Sequence, residues 1–130
     1  MTTIRRFAAV LLGAAALSAS AAEVAGVVYF EEAKITINAR AREAGYFRVR
    51  IQPEGGGAPI EATMQIDKRM RENEIAKGIR DALEPVVGPN YEVDRDAGEH
   101  VKIRKAKRDV ANFQIEIAYT APGFAVILEN

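Results

Sequence analysis

The stretch Glu72–Val87, ENEIAKGIRDALEPVV, decides how the chain reads. Ile75, Ile79, Ala82, Leu83 and Val86 recur at helical spacing, while Glu74, Lys77, Arg80, Asp81 and Glu84 fall on the other side. Asn73 is placed to cap the first turn, and Glu72 and Glu74 stand where the helix dipole favours acid. Gly78 and Ala82 lie on or beside the apolar stripe and leave room for a strand backbone to approach. Pro85 disfavours helical geometry at Glu84, so the helix ends or kinks there, and Gly88-Pro89 closes the segment. An apolar stripe of this kind needs a surface to cover.

The rest of the chain supplies that surface as strands. Phe47, Val49 and Ile51 alternate with Arg48, Arg50 and Gln52; Ile60, Ala62, Met64 and Ile66 alternate with Glu61, Thr63 and Gln65. After the helix the same period-two pattern returns around Tyr91 and Val93, Val101 and Ile103, Phe113 to Ile117, and Phe124 to Leu128. Asp96-Ala97-Gly98 and Ala121-Pro122-Gly123 are turn sequences. Strict alternation means antiparallel strands with one covered and one wet face. The predicted fold class is α+β: an antiparallel β-sheet of about six or seven strands with one amphipathic helix packed across one face. A membrane barrel does not fit, because a helix interrupts the strands and the polar parity is densely charged.

The first part of the chain reads as something other than fold. Arg5 and Arg6 make a positive start, Phe7–Leu17 is an apolar run of export length, and Ser18–Ala22 is a small-residue cleavage region. Residues 1–22 are thus expected to be a secretory signal peptide and residues 23–130 a single α+β domain, periplasmic or secreted after cleavage. The run is too short to span a bilayer. Of 18 basic and 18 acidic residues, the leader holds two basic and none of the acidic, which leaves 16 against 18 and a net charge of −2. That balance does not suggest nucleic acid as a partner. The chain has no cysteine, which removes disulfides, thiolate metal sites, a cysteine nucleophile and a lipid-anchor cysteine.

Several residues invite chemistry. His100 is the one histidine and sits beside Asp94, Asp96 and Glu99; a small hydrolytic enzyme using His100 would need a second catalytic group near it. The Asp94-x-Asp96-x-Gly98-Glu99 run has calcium-loop flavour but lacks the distal ligands, and turn chemistry explains it. Gly55-Gly56-Gly57 lacks the Lys-Ser/Thr and the helix of a phosphate loop. No residues are assigned as catalytic, cofactor-binding or metal-binding.

Lys102 and Arg104 open a basic run, and Arg48 and Arg50 are expected on the same sheet face, facing an anionic partner or, more simply, paired with Glu61, Glu92 and Glu116. Met64, Phe47, Phe113 and Phe124 could line a cavity between helix and sheet, which would make the protein a carrier of a small apolar ligand. The strand pattern conflicts with itself at Val27–Glu32. Four consecutive large apolar residues exceed what one sheet face can bury, and Glu31 falls on the core parity unless a bulge turns it out. Val28 and Phe30 are therefore expected partly exposed. The favoured function is a non-enzymatic binding or assembly module, meeting a protein partner or a second copy through a sheet edge or an apolar patch, with Val28, Phe30, Arg48, Arg50, Lys102 and Arg104 as contact residues.

Overall fold

The computed structural model describes the strand Ala9–Leu12 and residues 28–96 and 98–130. In chain order the elements are β1 (Ala9–Leu12), β2 (Glu32–Asn38), β3 (Gly45–Pro53), β4 (Ile60–Ile66), α1 (Glu72–Leu83), β5 (Tyr91–Asp96), β6 (His100–Lys105), β7 (Phe113–Tyr119) and β8 (Ala125–Glu129). Seven antiparallel strands, β2 to β8, and the helix form an α+β domain. The strands divide into two sheets rather than joining in one. One sheet runs β1-β8-β2-β6-β5 and the other β4-β3-β7. Apart from Ala9–Leu12, the leader expected from the sequence lies outside the described residues.

The helix forms where its sequence places it and ends at the Glu84-Pro85 step. Its N-terminus differs from expectation. Arg71, not Asn73, holds the cap position, and the Glu74 carboxylate reaches back to accept the Arg71 backbone N–H at 2.9 Å. Ile75, Ala76, Ile79 and Leu83 are buried. The stripe then shifts by one residue: Val87 is buried and Val86 is exposed, because Pro85 has ended the helical period before either of them. The helix touches β4 and β3 of one sheet and β2, β5 and β6 of the other, so it closes a wedge between two sheets.

Alternation along each strand sends one set of residues inward. Ala33, Ile35 and Ile37 of β2, Phe47, Val49 and Ile51 of β3, and Val101 and Ile103 of β6 are all buried in one continuous core. Aromatic rings fill its two ends. Phe47, Tyr119 and Phe124 stack with centroids 4.9–6.3 Å apart, and Phe113 meets Phe30 at 6.1 Å and Tyr91 at 5.3 Å.

Val27 lies outside the described residues; over Val28–Glu32 the conflict resolves as a corner. Phe30 exchanges two backbone hydrogen bonds with Phe113 of β7, and two residues later the chain is in β2 of the other sheet. Glu31 lies at the bend between them with its side chain exposed. Gly123 makes the second tight crossing. Its φ is +113°, and a Cβ there would sit 2.5 Å from the Arg42 nitrogen, so the β7–β8 turn needs glycine for its conformation and for closeness.

Gly78 does not face a strand backbone, as the sequence suggested. A Cβ there would overlap the end of the Met64 side chain, which is flexible and half-buried. Gly78→Ala gains helix propensity of about 1 kcal/mol and must displace that thioether. We expect the gain to be larger in a Met64→Ala background than in the wild type, read by denaturant titration. Equal gains in both would show that Met64 does not crowd this site.

Tyr119 is buried and its hydroxyl has no hydrogen-bond partner, while that of Tyr91 donates to the Ala111 carbonyl at 2.8 Å. Burial pushes the ionisation of both phenols upward. The folded state therefore holds them neutral where the unfolded chain ionises, near pH 10. Their contribution is fully present below that pH and is lost as pH rises from there toward the folded-state value. Tyr119→Phe should cost little at neutral pH, since the hydroxyl it removes is unpaired, and should flatten the alkaline loss of stability. Urea titrations near pH 8 and near pH 11 give the comparison; an unchanged alkaline slope would contradict it.

Candidate functional site

The six expected contact residues do not form one surface. Arg48 and Arg50 stand on the outer side of β3, and Lys102 and Arg104 on the outer side of β6. Because β3 and β6 belong to different sheets, a shared face is ruled out. The period-two pattern gave each residue its side of a strand and could not say which sheet the strand joins.

Each group is held by neighbouring acids. The Arg104 guanidinium places Nη2 2.8 Å from Glu92 Oε1 and Nη1 3.0 Å from Asp94 Oδ2, bridging to the adjacent β5. Lys102 Nζ lies 3.5 Å from Glu32, and Arg48 Nε lies 3.5 Å from Glu61. Arg50 stands in register between Glu61 of β4 and Glu116 of β7. All these groups are substantially exposed, so each pair contributes about 0–1 kcal/mol, and the local charge is largely cancelled. A paired, solvated face accounts for the basic residues; an anion site does not.

His100 opens β6 directly opposite Thr36 of β2, with Nδ1 2.8 Å from the Thr36 Oγ1. The pair stands on the outer face of the five-stranded sheet, half-buried. Among the described residues no group of three metal-ligating side chains comes together. Asp94, the first acid of the calcium-like run, is taken up by Arg104.

The residues expected to line a cavity between helix and sheet are taken up in packing. Phe47, Phe113 and Phe124 are packed against other rings, and Met64 closes on Gly78. An open cleft of about 610 Å³ lies elsewhere, at one end of the domain, where Pro53, Ala58, Ile60, Val87 and Val110 meet beside Tyr91. Lys107 and Asp109 also line it.

Val28 is partly buried against the core. Phe30, expected at a contact surface, is buried at 2 % exposure, because the corner carries it across to pair with β7. Tyr29 between them points outward at 39 %. With Tyr46 of β3 and Val86 beyond the end of α1 it makes three exposed large apolar side chains among the described residues, on three separate stretches of chain.

What remains is the strand edges. Those of β5 and β4 carry charge: Glu92 and Asp94 on one, Glu61 on the other. Such residues deter pairing with foreign strands. On its outer side β7 is met by Phe30 at Phe113 and by no other described strand. The β8 edge differs. Ala125-Val126-Ile127-Leu128 is a run of four apolar residues, with a charge appearing only at Glu129. Its outer side is taken by Ala9–Leu12, antiparallel, with Ala9 opposite Leu128 and Leu12 opposite Ala125. Reading the sequence missed this strand, since a short apolar run has no period to separate a strand from a leader. No helix among the described residues is long and apolar enough to cross a membrane.

Comparison with protein-family models finds no match, and comparison with curated proteins finds none either.

The burial of Phe30 yields a direct test. Phe30→Ser should destabilise the chain by about 3–5 kcal/mol, as for loss of a core aromatic ring. It should leave the sedimentation of the remaining folded protein unchanged. A variant of unaltered stability that changes its assembly state would return Phe30 to an interface.

Proposed function

We propose that the protein is an exported, non-enzymatic binding or assembly module that takes an extended apolar segment of a partner protein onto the outer edge of β8. The observation that carries this reading is the pairing of Ala9–Leu12 along that edge. The edge is apolar and unguarded by charge over Ala125–Leu128, and it has accepted a strand of matching character. If residues 1–22 are cleaved on export, as their composition suggests, the mature domain presents this edge open. An open edge offers a row of backbone donors and acceptors. Strand addition then supplies main-chain hydrogen bonds for affinity and alternate side-chain positions for specificity. Envelope partners with a free apolar strand fit this chemistry.

The test uses protein recovered from its own envelope, carrying a photo-crosslinking residue at Ile127 or, as control, at Arg50. Intact mass should show a start at Ala22 or Glu23. Crosslinks from position 127 should map to an extended apolar segment of the partner, and those from position 50 should not. Retention of Met1–Ser20, or crosslinks confined to position 50, would overturn the proposal.

Carriage of a small apolar molecule is the second reading, favoured by the cleft beside Tyr91. It predicts saturable binding of an apolar dye at one site per chain, lost on Val110→Lys.

A further inference from the structure

We infer that Ala9–Leu12 is a placeholder: it occupies the β8 edge in the uncleaved chain and keeps that edge from other strands until the leader is removed. The inference rests on the strand-acceptor reading above. It adds a regulation of the same site, in which the segment expected to direct export also closes the binding edge.

Two features carry it. The first is register. Ala9, Val10, Leu11 and Leu12 oppose Leu128, Ile127, Val126 and Ala125 in turn, so the occupied stretch is the same uncharged run that would receive a partner. The second is connection. Ala9–Leu12 is joined to β2 through residues 13–31, and β2 is the strand on the other side of β8. A tethered strand competes at an effective concentration in the millimolar range. A free strand of ordinary affinity, present at micromolar levels, loses that competition. Opening the edge takes hydrolysis of one peptide bond behind the leader, with water as the co-reactant and an export peptidase as the agent. The freed segment then competes only at its bulk concentration.

The logic accounts for an otherwise exposed hazard. A four-residue apolar edge without charge is a template for aggregation. Closing it in cis protects the newly made chain during the interval before export, when like copies are its nearest neighbours.

The experiment uses the full chain, produced without export, as wild type and as the Val10→Pro/Leu11→Pro variant. Proline removes backbone donors and is not tolerated within a paired strand. The probe is a synthetic peptide of residues 7–16 with added terminal lysines for solubility. Hydrogen exchange along β8 should be faster in the proline variant, while β6 is unchanged. The peptide should bind the variant about 10–100-fold more tightly than it binds the wild type. Equal β8 exchange, or peptide binding of equal affinity to both chains, would overturn the placeholder. The outcomes separate the two ideas. Binding to both chains alike removes the placeholder and leaves the strand acceptor standing. Faster β8 exchange with no peptide binding to either chain leaves the placeholder standing and removes the acceptor.

Discussion

Two hydrogen bonds between Phe30 and Phe113 hold the architecture together. Phe30 N–H donates to the Phe113 carbonyl at 2.7 Å, and Phe113 N–H donates back at 3.0 Å. Phe30 thereby pairs with the three-stranded sheet, and the next strand belongs to the other. Without this exchange each sheet would keep its own apolar face, and neither is large enough to bury it alone. With it, the two faces share one core, sealed on a third side by Ile75, Ile79 and Leu83 of the helix. The helix is subordinate to that arrangement. It has two sheets to touch because the corner at Glu31 brings them together.

The elements were legible in the sequence because each is written locally. Helical spacing over Ile75, Ile79 and Leu83, a stop at Pro85, and period-two alternation in β3, β4, β6 and β7 all survive in the structure. The pairing was not legible. Alternation tells which way Arg48 and Arg104 face along their own strands, and carries nothing about which strands lie beside them. Partners such as β3 with β7 or β2 with β8 are far apart in the chain, and only the fold specifies them. The conflict at Val27–Glu32 was the sequence's one trace of the division. Four apolar residues in a row could not be housed by one face, and the chain changes sheets between Phe30 and Glu32.

The same distinction separates what could be read of the site. The acids beside the basic residues were visible, and the structure pairs them: Arg104 with Glu92 and Asp94, Arg48 with Glu61. Phe47, Phe113 and Phe124, expected to line a cavity, pack against other rings instead, since aromatic residues at core spacing stack as readily as they line a void. The β8 edge escaped notice because its character comes from an absence of charge over Ala125–Leu128. Such a run looks like core until the neighbouring strand is known.

The position of β2 has a consequence in time. It lies between β8 and β6, both made long after it. At synthesis rates of about 5–20 residues per second, β2 waits roughly 5–20 s for β8 to be made. The β5–β6 hairpin and the β2–β6 pair can form once β6 is made, while the β8 side of β2 stays open until later. Topologies dominated by distant pairings also fold slowly once complete. Of its two seams, β2 closes the one with β6 first and the one with β8 last.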